Sequence, residues 1–209
     1  MTGGRTIVVT GTDTDVGKTV FAAALTRALG ARYWKPVQAG VDDGGDAEGV
    51  VRLGVPVGDV LAEAYRLNTP CSPHRAAELD GTVIDPAQLA PPAVDGPLVI
   101  EGAGGVLVPV TPDLVLADLF ARWGHPVVLV ARTALGTINH SLLSIEALRA
   151  RGVPIAGIAF VGDAQEDSEA TIARLGAVRR LGRLPRLDPL DADSLTSAFA
   201  RHFRIEDFA

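Results

Sequence analysis

The feature that most constrains this chain is an apolar run that ends in a glycine-bounded loop rich in hydroxyls. Arg5-Thr-Ile-Val-Val-Thr10 leads into Gly11-Thr-Asp-Thr-Asp-Val-Gly17-Lys18-Thr19, and Val20-Phe-Ala-Ala-Ala-Leu-Thr-Arg-Ala-Leu29 follows before Gly30. The β-branched residues Ile7, Val8 and Val9 predict a buried strand. The segment Val20 to Leu29 predicts a helix stopped by Gly30. A turn of this kind between strand and helix aims backbone N–H groups and the positive end of the helix dipole at an anion. Lys18 then reaches outer phosphates, and the Thr19 hydroxyl suits Mg²⁺. Five residues separate Gly11 from Gly17. That is one more than in the general phosphate-binding loop, and Thr12 stands where its first glycine would be.

At 209 residues the chain is long enough for one sizeable α/β domain. Hydrophobic residues make up 47% and aromatics only 5%, so small and aliphatic side chains must fill the core. A net charge of −6 argues against nucleic acid or an anionic membrane as the main partner. The single cysteine, Cys71, excludes an internal disulfide and suits a reducing compartment. Met1-Thr-Gly-Gly4 leads straight into the first strand, so no signal peptide is expected. No apolar run approaches membrane-spanning length, and the expected compartment is the cytoplasm.

Strand and helix patterns alternate along the chain. Strands are expected at 32–35, 97–101, 126–130 and 155–161. Helices are expected at 46–53, 72–79 (capped by Ser72, with Pro73 at its first position), 113–123, 137–149 and 190–203. In the 137–149 helix, Ile138, Leu142, Ile145 and Leu148 share one face. Residues 64–67 read equally as a strand or a helix end. The pattern implies right-handed βαβ units: an α/β fold, a mostly parallel sheet flanked by helices on both faces, as one domain over residues 1–209.

In such a sheet, ligands sit outside the carboxyl ends of the strands. Glu101 ends an apolar strand there, where a carboxylate can hold Mg²⁺; the plain alternative is a salt bridge to Lys18. Lys35, fixed by Pro36, can stabilise charge on a carboxylate or a transferring phosphoryl group; the plain alternative is a surface lysine. Asp46 belongs to an acidic stretch with Asp42 and Asp43, and such runs are usually solvated. His74 and His140 match no zinc spacing. Cys71 reads as an inert small residue, and Trp34 and Trp123 as core or interface.

Gly11-Thr-Asp-Thr-Asp-Val-Gly-Lys-Thr19, Lys35-Pro-Val, Ser72-Pro-His74, Glu101-Gly-Ala-Gly-Gly105 and Leu135-Gly-Thr-Ile-Asn-His140 occur in this order. From about residue 5 to about residue 190 the chain thereby resembles the dethiobiotin synthetase family. The resemblance implies an ATP-dependent cyclo-ligase that makes dethiobiotin from 7,8-diaminononanoate and CO₂ or bicarbonate. A carbamate forms, ATP phosphorylates it to a mixed anhydride, and the second amine closes the ring. By matching motif, Lys18 and Lys35 stabilise the phosphates and the carbamate, and Thr19, Asp46 and Glu101 hold Mg²⁺. Asp13, Thr14, Asp15, Val16, Gly17 and Val20 complete the nucleotide-binding loop. Thr14 and the turn Gly102, Ala103, Gly104, Gly105 contact the diamine. The resemblance also implies a homodimer in which Leu135, Gly136 and Asn139 cross a two-fold interface to the neighbour's substrate.

Two departures stand out. Ala39 occupies a substrate-side position where a hydroxyl is expected. Where some members of the family it resembles carry an asparagine that reads adenine, this chain has Val161-Gly162-Asp163, leaving Gly162 and the Gly182-Arg-Leu184-Pro185 turn to meet the base. The alternative function is a switch-like ATPase of the partitioning or septum-site type. Such proteins carry a signature lysine early in the loop, where this chain has Asp13. A related amidotransferase-type synthetase would need a glutaminase domain for which the chain lacks length.

Overall fold

Strand β1 (Thr6–Gly11) shows in miniature how the core is built. Ile7 and Val9 point to one side, against Phe21, Leu25, Leu195 and Phe199. Val8 points to the other, against Ile100, Phe120, Leu129 and Ile145. This period of two on a strand buried on both faces is what a sheet covered by two helical layers requires. The computed structural model describes residues 5–41 and 44–208. The leader expectation at residues 1–4 and the acidic residues Asp42 and Asp43 lie outside them.

In chain order, α1 (Lys18–Leu29), β2 (Arg32–Trp34), β3 (Val37–Ala39), α2 (Gly45–Arg52), β4 (Tyr65–Leu67) and α3 (Pro73–Leu79) follow β1. Then come β5 (Leu98–Gly105), β6 (Pro109–Thr111), β7 (Leu114–Val115), α4 (Leu116–Trp123), β8 (Val127–Arg132) and α5 (Thr137–Arg149). The chain closes with β9 (Ile155–Val161), α6 (Glu166–Leu175), β10 (Arg180–Leu184) and α7 (Ala192–His202). The central sheet has the order β10-β9-β8-β1-β5-β2, with every pair parallel. β1 lies at its middle, so the loop after it opens at the centre of the carboxyl rim.

Several boundaries differ from expectation. The open segment at 64–67 is strand β4, paired with β3. The helix expected from 113 begins at Leu116, because Leu114 and Val115 pair with β6 and the Asp118 carboxylate accepts the Val115 N–H at 3.2 Å. The last helix begins at Ala192, where the Asp191 carboxylate accepts the Ser194 N–H at 2.9 Å. Ser72 precedes α3 but makes no side-chain cap bond. On α5 the buried face is Thr137, Ser141, Ser144, Ile145 and Leu148, with Ile138 and Leu142 only half-buried. These small hydroxyl residues let the helix lie close on the sheet, so helical periodicity of large apolar residues misplaced its inner face.

Two elements carried no readable pattern. Helix α6 buries only Glu169 and Ile172, so it has no apolar stripe. In β10, arginines and Gly182 interrupt the alternation. The expected turn at 182–185 is instead largely strand paired with β9, and a Cβ on Gly182 would come within 2.9 Å of the Phe203 ring.

Candidate active site

The loop between β1 and α1 is held by tight contacts that only glycine permits. A Cβ on Gly11 would lie 2.8 Å from Val16 Cγ2, and Gly17 has φ +93° with no room beside Val161. Gly17 caps α1 without a side-chain bond, so the first amides of that helix stay open to an anion. Val16 is buried beneath the loop, while Thr14 and Asp15 stand exposed at its tip. Asp13 turns its carbonyl to the Lys18 ammonium at 2.7 Å and its carboxylate to the Thr14 N–H at 2.8 Å. Lys18 is itself buried. Burial pulls its pKa below 10.5, against the opposing pull of Glu101.

Beside the loop is a charge cluster built on the buried Lys35 and Glu101. Glu101, opposite Val9 in the β1–β5 register, is 1% exposed. Its Oε1 accepts the Thr19 hydroxyl at 2.8 Å and lies 3.3 Å from the Lys35 ammonium; its Oε2 accepts the Tyr33 hydroxyl at 2.8 Å. Lys35 also pairs with Asp46 and donates to the Gly102 carbonyl at 3.3 Å. Burial would lower the Lys35 pKa, but Glu101 and then Asp46 outweigh it and raise it. Burial would raise that of Asp46, but Lys35 holds it down. Gln38 fixes the start of α2: its Oε1 accepts the Asp46 N–H at 3.0 Å, and its Nε2 donates to the Gly40 carbonyl at 2.9 Å.

Lys18, Thr19, Lys35, Gln38, Asp46 and Glu101 line one cavity of about 670 Å³. Residues of the phosphate loop, Ala39, Pro70 to Pro73, Ala103, Gly104 and Val108 also line it. A Cβ on Gly104, at φ +66°, would lie 2.9 Å from Val108, with Thr14 Oγ1 3.5 Å away. Residues 5–194 match the family described as AAA domain. The chain is 70% identical to the ATP-dependent dethiobiotin synthetase of Novosphingobium aromaticivorans, over 97% of this chain and 98% of that protein. It is 66% identical to that of Rhizorhabdus wittichii (98% and 99% covered) and 59% identical to that of Agrobacterium fabrum (96% and 95%).

The chain belongs to the dethiobiotin synthetase family. Its fold is also that of more distant ATPases. The Pyrococcus furiosus cell division ATPase MinD superposes with a TM-score of 0.59 at 15% identity, over 99% of this chain and 100% of that one.

Within this synthetase fold, the expected site residues fall into two groups. Thr14, Asp15, Gly17, Lys18, Thr19 and Val20 line the cavity, as do Lys35, Ala39, Asp46, Glu101, Ala103 and Gly104. Gly102 and Gly105 belong to β5 rather than to a free turn, and pack beside Thr10 and Thr12. Gly162, Leu184 and Pro185 lie off this cavity. The Gly162 N–H goes to the Leu184 carbonyl at 3.0 Å, and its carbonyl accepts from Arg183 at 3.2 Å. Leu135, Gly136 and Asn139 are exposed at the start of α5, Leu135 completely. The partner of Glu101 is Lys35 rather than Lys18, and Lys35 is buried, not a surface lysine. Thr137 does not cap α5; Gly136, at φ 92°, does so without a side-chain bond. Cys71 is exposed on the cavity wall, and Trp34 is core, its ring centroid 6.4 Å from that of Trp123.

Two members of the cluster were missed from the sequence. Gln38 sits within Lys35-Pro-Val-Gln-Ala-Gly40 at a strand end, where any polar side chain is a candidate. Tyr33 lies two residues before Lys35, on the same side of an extended segment. That period of two was the available signal.

Proposed function

We propose that this chain converts 7,8-diaminononanoate, CO₂ and ATP into dethiobiotin, ADP and phosphate. The observation that carries the reading is the Lys35–Asp46–Glu101–Thr19 cluster, which lines one cavity together with Lys18, in a chain so similar over its length to proteins of that name. One amine adds to CO₂ to give a carbamate. A carbamate oxygen displaces ADP from the γ-phosphoryl group, and the second amine attacks the carbonyl carbon and expels phosphate. The loop amides and Lys18 hold the phosphates, and Lys35 faces the anionic carbamate. Such chemistry needs positioning and charge neutralisation more than covalent help. Thr14 and Gly102 to Gly105 border the diamine, with Ala39 leaving room where a hydroxyl would contact it. The reading places the enzyme in the cytoplasm; among the described residues no helix is long and apolar enough to cross a membrane. If phosphate release from ATP requires both the diamine and bicarbonate, the reading stands. Hydrolysis indifferent to both would favour a switch-like ATPase.

The cluster fits Mg²⁺ on its own chemistry. Thr19 Oγ1, Glu101 Oε1 at 2.8 Å from it and Asp46 Oδ1 at 3.0 Å converge as three hard oxygens, each with lone pairs beyond the bonds it makes. Hard oxygens gathered in this way suit a cation, and two carboxylates leave coordination sites for waters and phosphates. Thr19, Asp46 and Glu101 would hold the ion, which when bound neutralises charge on phosphate oxygens. Chelation is expected to abolish turnover. Asp46→Asn is expected to raise the half-saturating Mg²⁺ concentration by about tenfold; an unchanged value would return Asp46 to an ordinary ion-pair role.

The base would lie toward Gly162, Leu184 and Pro185, because Val161 packs directly on Gly17. Both backbone groups of Gly162 already have partners within the chain, and it has no side chain to read an edge. At least one of CTP, GTP and UTP is therefore expected to support turnover within about tenfold of ATP. Strong selection of ATP in a competition assay would contradict this.

We further propose a homodimer in which Leu135, Gly136 and Asn139 complete the neighbour's diamine site. Complete exposure of Leu135 beside a helix start that has no side-chain cap supports this. Mixed dimers of Lys18→Ala with an inactive Asn139 variant are expected to regain activity at the one undamaged site. Dimers that form without recovery, or an active monomer by sedimentation, would refute it.

A further inference from the structure

Glu101 has a side that neither Thr19 nor Lys35 touches. Its Oε2 points into the core, where the only polar group that the described residues bring to it is the Tyr33 hydroxyl at 2.8 Å. Tyr33 is 0% exposed and Glu101 1%. The contact follows from strand geometry. Tyr33 on β2 stands opposite Val99 on β5, and Glu101 lies two residues further along β5, on the same side of the sheet. The ring reaches diagonally across the pair, a span that suits an aromatic side chain.

A glutamate does not set the plane of its own carboxylate, because rotation about the terminal sp³–sp² bond is broad. The Lys35 ammonium does not set it either, being a compact charge with rotatable donors on a flexible stem. A phenol in a packed core is different: it has few torsions, all fixed by its neighbours, and a single proton to give. We propose that Tyr33 is a positioning residue that ties Oε2 to the protein and leaves only Oε1 to face Thr19, Lys35 and a divalent cation. The inference rests on the Mg²⁺ reading above and deepens it by assigning metal selectivity. A carboxylate that offers one oxygen suits Mg²⁺, which demands near-octahedral geometry and keeps several waters. A carboxylate free to offer both oxygens suits Ca²⁺, which accepts bidentate ligands and higher coordination.

The test is Tyr33→Phe, which keeps the ring and removes one hydroxyl. Mg²⁺ and Ca²⁺ are titrated calorimetrically into the wild-type and variant proteins, each bound to a non-hydrolysable ATP analogue. Wild-type protein that binds neither ion would end the metal reading itself, independently of Tyr33. Given wild-type binding, the variant is expected to lose about tenfold in Mg²⁺ affinity. It should lose less for Ca²⁺, narrowing the ratio between the ions, while metal-free binding of the analogue stays within about twofold. Equal losses for both ions, or none, would overturn the proposal, since a merely structural tyrosine has no reason to distinguish them. A second measurement does not depend on the variant folding. The chain has two tyrosines. With 3-fluorotyrosine at both, the Tyr33 resonance, assigned with Tyr65→Phe, is expected to shift when Mg²⁺ joins the analogue complex; a resonance that does not move would also overturn it.

Discussion

Replacing Lys18 with alanine is expected to lower turnover by on the order of a hundredfold or more, as loss of one preorganised electrostatic group does. In the free chain the ammonium rests on the Asp13 carbonyl at 2.7 Å, inside the curve of the loop that would hold phosphates. It is a cation held back from water, and burial lowers its pKa below 10.5 despite the pull of Glu101. Phosphate oxygens would reverse that shift. Nucleotide binding should therefore take up a proton on the alkaline side, and affinity should fall as pH rises through the free-state pKa of Lys18. For folding the sign is opposite to that of a paired lysine. The unfolded chain holds this proton more tightly, so the Lys18 contribution to stability improves as pH climbs from the lowered folded value toward 10.5. Calorimetry in buffers of differing ionisation enthalpy reads the proton uptake directly. Near-wild-type turnover in Lys18→Ala would remove Lys18 from the chemistry.

What was legible in the sequence follows from which forces act locally. The β1–loop–α1 unit was readable because each of its requirements is met by adjacent residues: branched aliphatics, glycines at close approaches, then a lysine and a hydroxyl. Lys35 and Glu101 were readable because Lys35 lies just past the end of a strand and Glu101 at the end of an apolar run within one. That they pair with one another, and not Glu101 with Lys18, was not readable, because it depends on β2 and β5 being neighbours across 66 residues of chain. Tyr33 escaped for the same reason. Helix α6 and strand β10 escaped for another. Their inner faces are built on ion pairs, with Glu169 buried between Arg180 at 2.5 Å and Arg183 at 3.2 Å, and a charged interior leaves no apolar period to count.

Lys35→Met is expected to damage both stability and turnover. Methionine fills the space of the stem but leaves Glu101, whose side chain has no exposure, without its cation, and frees Asp46 beside it. Removing one member of a buried pair strands the other, a loss of about 3–5 kcal/mol, to be measured by denaturant unfolding. The pH dependence has a definite sign. Burial lowers the Lys35 pKa, but Glu101 and Asp46 raise it further than burial lowers it. Its contribution is therefore complete below 10.5 and disappears only as pH rises through the raised folded value, so Lys35 itself adds no pH dependence to wild-type stability across the neutral range. At the acid end, the part due to Asp46 is present above 3.8 and is lost as pH falls through its lowered folded value. Turnover should fall on the order of a hundredfold as well, since Lys35 faces the group on which charge develops. The double variant Lys35→Met/Glu101→Gln isolates the effect on stability. With the stranded charge neutralised, much of the lost stability should return; its turnover stays low in any case, because Glu101 would also hold Mg²⁺. A single variant as stable as wild type would contradict the buried pair, and a single variant with near-wild-type turnover would take Lys35 out of the reaction.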